Sequence, residues 1–330
     1  YGLVDPKNTL KYMRLPDDFI NKNVNDGVKS LLWHTSGGRV RFATDSPYIA
    51  VIVELKRMYR MMHMPPTGQS GFDLYTGKRG SLDQTFKKVF FPIDIINDQN
   101  RYYDGYYELD TEDNFTEREI TLNFPLYNGV NKLYIGLKAG SKIYKPVSYE
   151  IKKPVVFYGS SITQGACVSR PGNNYTSLLS RWLKADFINL GFSGSGKGEI
   201  DIAEYIATLD LSAFVMEYEA NSPSIEHLRE THYPFYKCIR NAKPSIPIIM
   251  LSFPKYPLPP LNSGFQKKDI VLSREVILSN YLRGIKERDR NLYFIDGETL
   301  YGVRDQDVCS VDNCHPNDLG FYRMAEAIYP

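Results

Sequence analysis

From residue 155 onward, short apolar runs and amphipathic stretches take turns along the chain. Val155-Val156-Phe157-Tyr158 is an apolar run of the kind that forms a strand covered on both faces. Residues 175–183 then carry apolar side chains at helical spacing. Strand-like segments follow at 187–190, 214–216, 246–252 and 292–295, and helical ones at 202–209, 231–241, 271–288 and 319–328. This alternation predicts a parallel sheet wrapped by helices, because parallel strands need crossovers long enough to hold a helix. The residues before about 150 lack that rhythm. They show strand-like runs at 39–43, 48–55, 72–75, 86–93, 119–124 and 132–137, parted by turn signals such as Ser36-Gly37-Gly38 and Tyr127-Asn128-Gly129. Short strands at that spacing predict an all-β sandwich of jelly-roll type. We expect two domains, a β-sandwich over residues 1–150 and an α/β domain over residues 151–330.

Composition narrows the function classes. The 330 residues carry 40 basic and 38 acidic side chains, a net charge of +2. That balance argues against nucleic acid and against an anionic membrane surface, which call for gathered basic charge. No apolar run nears the ~18–20 residues of a membrane-spanning helix. A hydrophobic share of 42% is that of a folded chain, which excludes disorder. Aromatics reach 13%, with 25 tyrosines. They read first as strand-core side chains, and more sharply as platforms for sugar rings. Cys167, Cys238, Cys309 and Cys314 fit no zinc spacing, and Cys309 and Cys314 are close enough to be bridged or free. The chain opens on Tyr1 and not on Met, so trimming ahead of it is expected.

Four short segments carry candidate chemistry. Gly159-Ser160-Ser161-Ile162-Thr163 follows the first strand of the α/β half and precedes a helix. Ligands of open parallel sheets bind beyond the carboxyl ends of the strands, so Ser161 would stand at the binding rim. Asp312-Asn313-Cys314-His315 precedes the last helix. A serine needs a base to become a nucleophile, and the imidazole needs a carboxylate to fix its tautomer. Among five histidines, only His315 has an aspartate three residues before it and a proline after it. Gly194 and Asn221 each follow a predicted strand on the same rim. A glycine N–H and an asparagine amide are suitable donors to an oxyanion. Taken singly, each segment also reads as a plain turn or a helix cap.

In this order, the four blocks resemble the SGNH family, the GDSL-type serine esterases and acylhydrolases. Its usual Gly-Asp-Ser is here Gly159-Ser160-Ser161, with Ser160 in place of the acid. The resemblance implies a flavodoxin-like hydrolase domain with Ser161 as nucleophile, His315 as base and then acid, and Asp312 as its orienting partner. It implies an oxyanion hole built from the Ser161 N–H, the Gly194 N–H and the Asn221 side chain, with no metal or organic cofactor. Gly71-Phe72-Asp73-Leu74-Tyr75 is similar to a Gly-x-Asp-Leu-Tyr segment of a β-rich domain that precedes some of these hydrolases. That likeness points to a carbohydrate O-acetylesterase acting on a small-molecule or glycan ester, with a periplasmic or secreted home. A lipase or thioesterase, and an inert glycan-binding protein, are the alternatives. The loop 61–66 with His63 reads first as an exposed loop, with a reach across to the active site as the alternative, and the loop 255–265 as a candidate pocket wall.

Two competing motifs are weaker. Gly191 to Lys197 matches the phosphate-loop pattern, but Gly198 offers no hydroxyl for magnesium. Asp307, Asp312, His315 and Asp318 lie close in sequence without forming a regular calcium loop.

Overall fold

The computed structural model describes residues 1–5, 11–93, 101–109, 116–254 and 267–329. The loop 255–265, named above as a pocket wall, therefore lies outside the described residues.

Eight strands precede the α/β region: β1 (Arg39–Thr44), β2 (Tyr48–Leu55), β3 (Phe72–Lys78), β4 (Thr85–Phe90), β5 (Tyr102–Glu108), β6 (Arg118–Asn123), β7 (Val130–Gly136) and β8 (Ile143–Tyr144). They form two antiparallel sheets, ordered β4-β3-β6-β1-β8 and β5-β2-β7. Ile49, Val51, Val53, Leu74, Ile120 and Leu122 alternate inward and share one core, as the period of two dictates. The strand β5 carries no sequence signal of its own. Asp104 and Gly105 in its middle are residue types depleted in strands. It is specified by its partner, with Val51 opposite Gly105 and Ala50 opposite Tyr106.

The second unit holds β9 (Ile151–Gly159), β10 (Ala185–Gly191), β11 (Ala213–Glu217), β12 (Ile248–Leu251) and β13 (Leu292–Ile295). All pair in parallel, in the order β10-β9-β11-β12-β13. In chain order that is 2-1-3-4-5, the flavodoxin-like order, whose ligand crevice opens between the first and third strands. Here those strands are β9 and β11. Successive residues of β9 serve opposite faces: Val156 and Tyr158 join one core, Val155 and Phe157 the other.

The helix Ile225–Ala242 starts earlier than the periodicity predicts. Ser224 caps it by accepting the His227 N–H at 3.1 Å, and Pro234 lies inside it. The residues ahead of β1 divide between the two units: Leu3 and Tyr12 pack against the antiparallel-sheet core, and others join the parallel-sheet unit. Met13, Leu15, Phe19, Val28 and Leu32 enter the core on one face of the parallel sheet. Arg14 is fully buried there, donating to Leu31 O at 2.7 Å and to Gly191 O.

Candidate active site

β9 ends at Gly159, and the four-residue helix Ser161–Gln164 begins at once. Ser160 is its cap. The Ser160 hydroxyl accepts the Ile162 N–H at 3.1 Å and donates to the Glu217 carboxylate, whose oxygens lie 2.9 and 3.0 Å away. The Ser160 N–H donates to Glu217 O at 2.9 Å. The side chain of Ser160 thus turns into the protein, and the Ser161 hydroxyl is the one left at the rim. Ser161 Oγ lies 2.9 Å from His315 Nε2.

His315 stands in a turn closed by its own backbone. Val311 N–H donates to His315 O at 3.0 Å, and Ser310 pairs with Pro316 as an isolated bridge. Asn313 takes a φ of 59°, a left-handed conformation that asparagine tolerates better than most residues. The turn brings Asp312 Oδ2 within 2.8 Å of His315 Nδ1, while Asp312 Oδ1 accepts the N–H groups of His315 (2.7 Å) and Cys314 (3.0 Å). Burial works against charge on Asp312, but these hydrogen bonds and the imidazole outweigh it and hold the carboxyl well below the usual range. Asn317 caps the last helix, Asp318–Ile328, by accepting the Gly320 N–H at 3.1 Å.

β10 leads into a tight turn, Phe192 to Ser195, in which Ser195 N–H donates to Phe192 O at 2.9 Å. Gly194 holds the third position with φ +65°, a conformation that a β-carbon would strain. Neither the Ser161 nor the Gly194 N–H has a protein acceptor among the described residues. Asn221 stands beside Gly194 on the expected rim, lining the same groove. Its Nδ2 donates to Phe192 O and to Gly196 O, both at 3.0 Å. In this arrangement its amide protons brace the turn that carries Gly194. A groove of about 730 Å³ opens beside Gly194 and Asn221, lined also by Lys197, Glu226, Arg229 and Asp269.

Two further residues neighbour the site. Glu217 is fully buried at the end of β11, accepts the Thr163 hydroxyl at 2.9 Å, and is pushed up to about 7 by burial, which those hydrogen bonds oppose. Only the oddity of an acid closing the apolar run Phe214-Val215-Met216 hints at it. His63, expected in an exposed loop, has its ring centroid 5.4 Å from that of His315. Met64 draws the loop across by inserting into a core of the parallel-sheet unit. Ligating atoms of His63, Cys167, Asp312 and His315 lie within 4.8 Å of one another. Two of these four are already bonded to each other, and burial pushes the Cys167 thiol up. Asp318, grouped with Asp312 and His315 in sequence, turns away to Ser169 and Asn173. None of the four cysteines forms a disulfide, Cys309 and Cys314 included. No helix among the described residues is long and apolar enough to cross a membrane.

Comparison with known proteins agrees with this architecture. Residues 152–330 match the model of the GDSL-like lipase/acylhydrolase family, and residues 2–143 match that of the N-terminus of SGNH-hydrolase-type esterases. A GDSL-like lipase candidate from Bacteroides ovatus ATCC 8483 is 31% identical, with a TM-score of 0.81 over 96% of this chain and 89% of that one. The salicylyl-acyltransferase of a tetracycline biosynthetic pathway shares the fold at 21% identity, TM-score 0.74, over 96% of this chain and 87% of that one. A family two carbohydrate esterase from Clostridium thermocellum, solved with cellohexaose, shares it at 13% identity, TM-score 0.62, over 89% and 90%. No curated protein matches the chain.

Proposed function

The chain belongs to the GDSL-like lipase/acylhydrolase family, and from that premise we propose a serine esterase with Ser161, His315 and Asp312 as its triad and an acetylated carbohydrate as its substrate. The observation that carries the reading is the unbroken pair of contacts, Ser161 Oγ to His315 Nε2 at 2.9 Å and His315 Nδ1 to Asp312 Oδ2 at 2.8 Å. His315 takes the Ser161 proton as Oγ attacks the ester carbonyl. The carbonyl oxygen becomes an oxyanion beside the N–H groups of Ser161 and Gly194. His315 then gives its proton to the leaving alkoxide, and the C–O bond breaks. The acyl group is left on Ser161. A water next yields a proton to His315 and attacks the acyl carbon; His315 returns that proton to Ser161 Oγ as the acyl–Oγ bond breaks and the acid leaves. Asp312 stays ionised and holds the imidazole in one tautomer. Asn221 serves by bracing the Gly194 turn.

The groove beside Gly194 supports a hydroxyl-rich substrate. Lys197, Glu226, Arg229 and Asp269 can meet sugar hydroxyls, and Ala220, Pro223, Ile225 and Leu272 give the same groove apolar wall for a ring face. The shared fold with a cellohexaose-binding esterase is in keeping with that choice.

Nitrophenyl esters of two, four and eight acyl carbons test both parts. Wild type should prefer the acetyl ester, and Ser161→Ala should retain its fold and lose turnover by at least about 10³-fold. Full activity in that variant overturns the triad, and a preference for eight carbons overturns the acetyl assignment in favour of a lipase.

A further inference from the structure

The Gly71–Tyr75 segment lies on β3 of the antiparallel unit, yet its polar side chains grip the other unit. Asp73 is fully buried. Its Oδ2 accepts the Gly172 N–H at 2.6 Å and faces Arg170 Nη1 at 3.3 Å, and its Oδ1 accepts Asn123 Nδ2 at 2.7 Å. The Tyr75 hydroxyl accepts from Arg170. The Arg181 guanidinium lies 4.8 Å from the centre of the Tyr75 ring. Gly172 makes the approach possible: a β-carbon there would stand 2.3 Å from the Tyr75 hydroxyl and 2.8 Å from Asp73 Oδ2. Thr67, shortly before the segment, donates to Ser169 O at 2.5 Å.

The loop so gripped is held on its far side by Asp318. Ser169 N–H donates to Asp318 Oδ1 at 2.8 Å, and Ser169 Oγ and Asn173 Nδ2 (3.1 Å) donate to Oδ2. Asp318 opens the last helix three residues beyond His315. Between them, Asn317 N–H donates to Cys309 O at 2.9 Å and fixes the end of the His315 turn. Hydrogen bonds joined by short lengths of backbone therefore lead from Asp73 to Gly172, along residues 169–173 to Asp318, and through Asn317 to the base of the turn that carries His315.

We propose that the Gly-x-Asp-Leu-Tyr segment is a clamp between the two units that positions His315 against Ser161, acting through residues 169–173 and Asp318. The inference rests on the serine-esterase reading above. Asp73, Tyr75 and Asp318 are positioning residues, with no part in the bond changes. Their effect is geometric: a shift of about 1 Å in a catalytic group can cost roughly 10²-fold in rate.

The test uses the full chain with Asp73→Asn, Asp318→Asn and the double variant, reading kcat, KM and thermal unfolding on the ester that wild type hydrolyses best. Each single variant should unfold above the assay temperature and lose about 10–100-fold in kcat, with KM within about threefold of wild type. The double variant should lose no more than the worse single one, because both changes break the same chain. If Asp73→Asn does not fold, Tyr75→Phe carries the same cycle with a smaller loss. Singles with wild-type kcat, or losses that multiply in the double variant, overturn the clamp. An active wild type with unaffected variants sinks the clamp alone; a wild type that hydrolyses no ester sinks the esterase reading and the clamp with it.

Discussion

Asp312 binds three hydrogens from its own turn, while Glu217 sits buried on the other side of the nucleophile and meets only hydroxyls and an N–H. The two carboxyls are driven in opposite directions. The hydrogen bonds to Asp312 win over its burial and keep it ionised, whereas burial of Glu217 wins and raises it to about 7. A glutamate in the unfolded chain titrates near 4.3. Folding thus binds a proton at Glu217 between about pH 4.3 and about 7, and stability must fall as pH rises through that window. Glu219, pushed up to about 8 by burial, acts in the same direction. Glu217→Gln should flatten the loss of thermal stability between pH 4.5 and 7, measured as Tm against pH in both proteins. Parallel curves would mean that Glu217 is ionised in the folded state. At this scale, Ser161, Asp312 and His315 were legible because their chemistry is local, an Asp-x-x-His turn and a serine at a strand end. Glu217 and His63 were less so, because each meets the site through the fold alone.

At the scale of the element, the turn from Phe192 to Ser195 shows what short segments can and cannot announce. A glycine after an apolar run marked the turn. The destination of the Asn221 amide did not follow from its sequence, since an amide at a strand end can face an oxyanion or a carbonyl equally well. Asn221→Ala removes two hydrogen bonds that hold Phe192 O and Gly196 O. It should lower kcat by about 10²-fold with little change in KM, because in the proposed mechanism the Gly194 N–H acts on the oxyanion of the transition state. Unchanged kcat would take both Asn221 and its turn out of the mechanism. The parallel strands were readable from their apolar runs, whereas β5 was not. Its tyrosines come as adjacent pairs on either side of Asp104 and Gly105, and pairing with β2 makes it a strand.

Across the whole molecule, the two sheet architectures were visible in the change of hydrophobic period near residue 150. How they join was not. Part of the segment before β1 joins one core of the parallel-sheet unit, Met64 crosses into the other core of that unit, and Asp73 holds the loop beyond the nucleophile. Contacts between residues about 100 apart leave no periodic trace in a sequence. They are what places His63 near His315 and what ties the antiparallel unit to the triad. The central claim is narrower than this assembly: Ser161, and not its neighbour Ser160, is the nucleophile. Treatment with an organofluorophosphonate, followed by peptide mass spectrometry, tests it most directly. The account predicts one adduct, on Ser161, lost in His315→Ala. An adduct on Ser160, or on neither serine in an enzyme that still hydrolyses esters, would contradict it.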